Sequence, residues 1–548
     1  MKDKFSSLII FFKKTWFIFV AIVIVAVAGF SSVEIFKEEV LNIDPDIEYV
    51  ESDYLYFACE SLDTLNPIIS QSEDVYYLSK LIYNSLFDFD ENLNVVPELV
   101  EAYSVDTNRG KVTITLREGV TWHNGDAFTA NDVRFTVTAI QYAGNKSVYY
   151  EKASKISYIA VKGNYELDIY FKNAYDASLD DLTFPIVPSG QYSSASAFVA
   201  AEDGFRPIGT GQYQYRSYNY LKRLRLKPNE EYFGDLASKK IDVMILPEGD
   251  LASNMLEINS VTCYMDRTAE RKSTAIDKDL TMYDIPSNEV EFLVFNSYGS
   301  LVKDKNIRKA IAYGIDENNV LENGYMSDGI LTDTVYYPNF MGVEDSGTYY
   351  CYNVEESLSI LKEAGYEDRD NDGLLEDEND REPELQLVVN KNDATRLAAA
   401  RLIKSDLENL GFQVTLDELS WKEYQTAISR KDFDILITGY TIEETYDLRN
   451  FFNGKNDWDY YNYEIYTAAA ELEKLHTAEE YTELFSALKD LLLEELPYYS
   501  LCYKQIGLIG IQGFTAERLP MFNDPYKHCD TWFWEYPVEA GTEDTTSE

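Results

Sequence analysis

The sequence predicts an α/β fold with more than one lobe, and three observations carry that prediction. With 548 residues, 45% of them hydrophobic and 26% charged, the chain is long enough for several cores and has the composition of a globular protein. From residue 385 onward, strand-period and helix-period segments alternate as β-α-β-α-β. Such alternation argues for a mostly parallel sheet covered by helices, in which ligands gather at the carboxyl ends of the strands. The first half is richer in short alternating strands and turns.

Taken in chain order, Lys2, Lys4, Lys13 and Lys14 precede an uncharged run over residues 15–33. Its length approaches the roughly 20 apolar residues that span a bilayer, and the lysines keep its leading end cytoplasmic. Residues 1–33 are therefore expected to hold the chain to the membrane as an N-terminal helix, with the bulk outside the cell. Ala26, Val27 and Ala28 also fit a signal-peptidase site, and cleavage after Ala28 would give a secreted protein instead.

Val112, Ile114 and Leu116 alternate as a half-buried strand should, Gly119 and Asn124-Gly125 supply turns, and Thr129 with Asp132 opens a capped helix. Residues 157–171 read as a hairpin about Gly163-Asn164. Asn353 with Glu356 starts a helix whose Val354, Leu358 and Leu361 are expected to face the core, with Gly365 as its stop. After a strand over 385–389 comes a helix over 394–410, with Ile403, Leu407 and Leu410 on one face and Gly411 as its left-handed end. A strand at 412–416, a helix carrying Trp421 and Tyr424, and a strand at 433–437 complete the run. The acidic tail, 537–548, holds too few apolar residues to pack and is expected to be disordered.

The formal charge of −47 makes nucleic acid an improbable partner, since that affinity rests on Lys and Arg releasing counterions. No G-x-S-x-G elbow, H-E-x-x-H or Walker loop occurs, so no enzymatic reaction is expected. Cys59, Cys263, Cys351, Cys502 and Cys529 are scattered and odd in number, which leaves at most two bridges. His123, His476 and His528 have no His or Cys neighbour at metal-ligand spacing, and scaffold roles are expected for them. Asp368, Asp370, Asp372 and Gly373 form D-x-D-x-D-G, the first half of a calcium loop, in which Leu374 offers its carbonyl and Glu376 the ninth position. The twelfth position is Asn379 rather than a bidentate Glu, so the choice lies between a weak structural calcium site and a solvated acidic turn. No other cofactor is expected.

VTITLREGVTWHNGDAFTANDVRF, residues 112–135, resembles as a string the signature of the solute-binding proteins of peptide and nickel ABC importers, the extracellular family 5 group. The family's other landmarks follow in order. Asp63, Leu65, Asn66 and Pro67 come first, then LIYNSLFDFDENLNVVPELVEAY at 81–103, PIGTGQYQY at 207–215 and KKIDVMILP at 239–247. FLVFNS at 292–297, NIRKAIAYGID at 306–316 and LKEAGYEDRDNDG at 361–373 complete a resemblance covering residues 50–536.

The resemblance implies a two-lobed periplasmic-binding-protein-like fold (type II, Venus flytrap) with an extra inserted subdomain. Lobe I would be discontinuous, from 52–90, 204–290 and 500–536; the insertion would be 91–203 and lobe II 291–499. It implies a monomeric, extracytoplasmic substrate-binding protein of an ABC importer that closes on peptides and delivers them to the permease's transmembrane subunits. Relatives are often lipoproteins, but the first cysteine here, Cys59, lies far beyond the apolar run.

Peptide-binding members often carry an aspartate soon after a Gly-aromatic pair, and it holds the peptide's α-ammonium. Here Gly439-Tyr440 is followed by Glu443, Glu444 and Asp447, so Glu443 is the expected anchor, with Tyr440 and Asp447 beside it. Capping of a following helix is the alternative for these acids. Asn296, ending an apolar strand, is expected to face a crevice, and Trp421 is a further aromatic candidate with core packing as its alternative. A membrane-tethered peptide sensor, a binder of a nickel chelate, haem or sugar, and an extracellular hydrolase are the competing readings.

Overall fold

The computed structural model describes residues 47–539 except 176, 203, 247–253, 257, 269–270, 299–300, 443–450 and 454–459. The predicted membrane segment 1–33 therefore lies outside the described residues, as do Glu443, Glu444 and Asp447. Among the described residues, no helix is long and apolar enough to cross a membrane.

Two compact units are present. In the smaller, Ile47–Glu51 (β1) pairs antiparallel with the end of Trp532–Glu539 (β20), from Ile47 opposite Glu539 to Glu51 opposite Glu535. Residues 537–539, expected to begin a disordered tail, instead continue this strand because β1 supplies their ladder partners.

The larger unit, Asp53–Phe533, contains the sheets that position the site. Tyr54–Cys59 (β2) lies parallel to Lys240–Ile245 (β11), and Arg223–Pro228 (β10) and Tyr213–Asn219 (β9) extend that sheet antiparallel. A short hairpin, Phe87–Phe89 (β3) with Val95–Pro97 (β4), precedes an antiparallel sheet in the order β5-β6-β8-β7. Its strands are Val100–Asp106 (β5), Lys111–Leu116 (β6), Ile156–Val161 (β7) and Glu166–Phe171 (β8). The β7–β8 hairpin is the one predicted. The helix Ala130–Ala143 starts with the predicted capping box, Thr129 and Asp132 each binding the other's backbone.

The third, seven-stranded sheet runs in the order β12-β18-β13-β17-β15-β16. These are Cys263–Asp266 (β12), Tyr498–Gly510 (β18), Thr281–Phe295 (β13), Ile435–Thr441 (β17), Glu384–Asn390 (β15) and Gln413–Leu419 (β16), with Gly329–Ile330 (β14) on β18. Phe514–Ala516 (β19) follows. β15 is parallel to both β16 and β17, as the predicted alternation requires. β13 and β18 are long because they pair along nearly their whole length, and their register breaks between Pro286 and Val290. Bulges of this kind bend strands, so the break separates the β12-side half of the ladder from the β17-side half.

Leu293, Ile311, Leu387, Ile403, Leu407 and Ile435 are fully buried in one cluster on this sheet. Ile403, Leu407 and Leu410 face it as predicted, and Gly411 at φ +99° ends the helix Ala394–Asn409 in the conformation that favours glycine. The helix Val354–Glu363 differs from expectation: Leu361 is buried but Leu358 is exposed. Its contact face carries Ser357, whose hydroxyl donates to the Ala310 carbonyl at 2.7 Å and draws the helix close to Lys305–Gly314. All five cysteines are free thiols, with Cys351 exposed and the others buried.

Candidate functional site

Asn390, Leu419 and Thr438 lie along one sheet edge, the carboxyl ends of the parallel strands β15, β16 and β17. Ligands in open α/β sheets bind outside such an edge. Two predicted site residues stand there. Trp421, the first residue of the helix Trp421–Arg430, is 54% exposed and stacks on Tyr424 with ring centroids 5.8 Å apart. Tyr424 is the buried member, its hydroxyl bonding the Ile437 carbonyl at 2.7 Å. Tyr440, next to Gly439 on β17, is 44% exposed and rests edge-on against Phe451. The structure thus brings Trp421 and Tyr440 to the same edge.

Beneath this rim lies a charge network that the sequence did not reveal. Asp393 caps the helix Ala394–Asn409 and places Arg396 in its first turn. Arg396 reaches across to Glu291 on β13 with two bonds, Nε to Oε2 at 2.6 Å and Nη2 to Oε1 at 2.8 Å. Glu291 is 1% exposed and also meets Lys504 at 3.0 Å and the Tyr325 hydroxyl at 3.3 Å. Glu291 pairs with Gly439 in the ladder, and a Cβ on Gly439 would sit 2.1 Å from Arg396 Nη2 and 2.4 Å from Glu291 Oε1. Glycine is needed there so that the bidentate pair can cross the strand.

Asn296 does not join this edge. β13 runs antiparallel to β17, so its last residues reach the amino end of the parallel strands. There Asn296 is buried, and its Nδ2 donates to the carbonyls of Phe433 at 2.7 Å and Lys431 at 3.1 Å. Those bonds tie a turn and leave Nδ2 with no free proton for a ligand.

A second edge carries functional groups that sequence reading missed. β2 and β11 are parallel, and beyond their carboxyl ends opens a cavity of about 860 Å³. Glu60 and Ser61 follow β2, Gln71 and Ser72 lead into the helix Glu73–Ile82 with Glu73 and Asp74 in its first turn, Tyr264 to Asp266 lie on β12, and Arg267 and Thr268 follow it. β12 is brought alongside β2 by reciprocal bonds between Tyr56 and Thr262. Asp74 Oδ2 accepts from the backbone N–H groups of Glu60 at 2.8 Å and Ser61 at 3.0 Å. Burial pushes the Asp74 carboxyl up, and the charges of Glu60 and Glu73 push the same way against those two hydrogen bonds. The same strand-end rule that singled out Asn296 points to Glu60, but the partner segments lie some two hundred residues away in sequence.

The carboxylate oxygens of Asp368, Asp370, Asp372 and Glu376 all lie within 4.8 Å of one another. Asp368 accepts from the N–H groups of Asn371 and Gly373, and Asp372 from that of Leu374. In the following turn Asp377 accepts from the N–H groups of Asn379, the twelfth position, and Arg381, and pairs with the Arg381 guanidinium. Four hard oxygen donors in this arrangement fit a calcium ion.

Residues 94–461 match the family model described as bacterial extracellular solute-binding proteins, family 5, middle. The chain belongs to this family. The oligopeptide-binding protein AppA of Bacillus subtilis is 22% identical to it over 80% of this chain and 83% of that protein. The dipeptide-binding protein of Escherichia coli is 26% identical over 74% of this chain and 78% of that protein. Among solved structures, a nickel ABC transporter protein from Bacillus halodurans superposes with a TM-score of 0.69 at 18% identity, covering 86% of this chain and 98% of that one. The family's mixed α/β architecture is therefore this chain's architecture.

Proposed function

We propose that this family 5 protein captures peptides and delivers them to the transmembrane subunits of an ABC importer. One observation carries the reading: two separate sets of parallel strands, β2-β11 and β15-β16-β17, each end in a rim of aromatic and polar side chains. The long strands β13 and β18 run through the larger sheet with a bulge between its two halves, which suits a bend between lobes. Exposed rings such as Trp421 and Tyr440 offer apolar area to peptide side chains, and Tyr440 adds a hydroxyl for main-chain groups. The two peptide-binding relatives support this ligand class over the nickel-binding one, and neither rim gathers histidines. Glu443 remains the proposed partner for the ligand's ammonium, with Asp447 near it in sequence. Tethering by residues 1–33 would hold the protein near its permease.

Titration of the protein with a mixture of short peptides, followed by tryptophan fluorescence, tests this. Saturable quenching or enhancement that falls sharply in Trp421→Phe is expected; no response to peptides together with a response to a nickel–histidine complex would reverse the assignment. We also propose that the loop 368–376 takes a structural calcium ion, supported by its convergent carboxylates.

A further inference from the structure

Arg271 is 1% exposed, yet it reaches two carboxylates that belong to different parts of the larger unit. It opens the helix Arg271–Asp277, whose Thr274 lines the cavity beyond β2 and β11. Its side chain passes over Gly507 of β18, where a Cβ would lie 3.0 Å from Arg271 Cδ. Nη1 and Nη2 each donate to one oxygen of Asp328, Nη1 to Oδ2 at 2.9 Å, and Nη1 also donates to the Thr268 carbonyl at 3.2 Å. Asp284, on β13 before the register break, stands 3.6 Å from Nη2.

The two carboxylates are anchored on opposite sides of the bulge. β12 and β14 share one edge of β18, β12 against residues 507–510 and β14 against 503–504, with β13 along the other edge. Arg271 and Asp284 stand on the β12 side. Asp328 immediately precedes β14 and ends a segment fixed to the other side: Gly324 packs against Ala399 of the helix Ala394–Asn409, and the Tyr325 hydroxyl bonds Glu291 at 3.3 Å.

This pairing leaves a second position open. Arg271 Nε and Asp284 Oδ1 are both buried and have no hydrogen-bond partner among the described residues. Unpaired buried polar atoms are costly, and a guanidinium that swung toward Asp284 would satisfy both at once at the expense of Asp328. The turn carrying Asp328 is itself strained, since Met326 and Ser327 take left-handed φ of +56° and +55°. Lys272 holds that turn from the β12 side, its Nζ donating to the Ser327 carbonyl at 2.9 Å and lying 3.7 Å from Asp328 and 3.8 Å from Asp284.

We propose that Arg271 is a two-position latch across the bulge: bound to Asp328 it holds the two sides of the sheet together, and when they separate its guanidinium passes to Asp284. The exchange keeps a buried charge paired in both positions, which removes the main cost of bending there. The inference rests on the bend between lobes proposed above and not on the ligand being a peptide.

Pulsed electron spin resonance on the full chain in mild detergent, without ligand, measures the separation. One spin label goes on Cys351, the exposed native thiol, on the β14 side because the N–H of neighbouring Tyr352 bonds Glu317 at 3.1 Å; the other four thiols are buried. The second goes on Tyr220→Cys, exposed between β9 and β10 in the sheet that Tyr56 and Thr262 tie to β12. Asp328→Asn should lower the ratio of near to separated forms about tenfold, the worth of one charge-assisted hydrogen bond. Adding Asp284→Asn to that variant should raise the ratio again about threefold, because the second position is then weakened. Both substitutions keep the side-chain shape and leave Arg271 in place. Two distances whose ratio neither substitution moves, or both move in the same direction, would overturn the latch and leave the bend standing. A single distance in every form would overturn the bend, and the latch with it.

Discussion

Arg396→Met should destabilise the sheet that holds β13, β15 and β17 more than Lys504→Met does. The structure sets the size of the effect. Removing one partner of a buried ion pair costs about 3–5 kcal/mol, because the remaining charge stays buried. Glu291 is buried, but Lys504 at 3.0 Å and the Tyr325 hydroxyl at 3.3 Å stay with it after the change, which brings the expected loss to about 2–3 kcal/mol. Lys504→Met removes the contacts with Glu291 and, at 3.6 Å, Glu289 from a side chain 27% exposed and leaves both Arg396 bonds in place, so about 1 kcal/mol is expected. Gly439→Ala should approach the Arg396 variant, since its methyl displaces the same two groups. Urea unfolding followed by near-ultraviolet circular dichroism measures the midpoints, compared at unchanged slope. A Lys504→Met loss equal to or larger than that of Arg396→Met would refute the assignment of Arg396 as the principal counter-charge of Glu291.

Calcium at ten times its dissociation constant should stabilise the protein by about 1.4 kcal/mol, and chelation should lower the melting temperature accordingly. Asp368→Asn with Asp372→Asn should abolish that response; a response that survives both changes would place the ion elsewhere. His123 gives a pH dependence with a definite sign. Burial drives its pKa down from 6.5 to about 4, reinforced by Lys227 and opposed by the bond to the Gly211 carbonyl. The unfolded chain therefore takes up this proton first, so the stabilisation is complete above pH 6.5 and is lost as pH falls from 6.5 to 4. The loss from this residue is roughly 3 kcal/mol, and His123→Gln should flatten the acid limb of stability by a large part of that amount.

How far the sequence could be read followed from the range of the interactions involved. The β7–β8 hairpin, the Thr129–Asp132 capping box and the Gly411 stop are local, each settled by residues within one or two turns, and all three stand in the structure. The parallel arrangement of β15, β16 and β17 was legible because β15 and β16 are each followed by a helix of clear period. Leu358 was misplaced because a serine, not an apolar residue, makes the close helix contact, and hydrophobic periodicity does not register Ser357. Asn296 was misplaced because a strand's direction depends on its distant partner: the rule about carboxyl ends holds for parallel neighbours, whereas β13 is antiparallel to β17. The Glu291–Arg396–Lys504 network and the cavity beyond β2 and β11 join segments one to four hundred residues apart, and no spacing in a single sequence reports such meetings. Trp421 and Tyr440 could be placed at the strand ends from sequence because each lies within two residues of an end that local pattern could locate.

The most direct test of peptide capture is native mass spectrometry of the protein purified gently from its own host, followed by denaturation to release whatever it holds. The account predicts a set of peptides within a narrow range of lengths. A single metal chelate, haem or sugar mass would contradict it and remove the proposed role of Glu443, while leaving the family and the fold as they are.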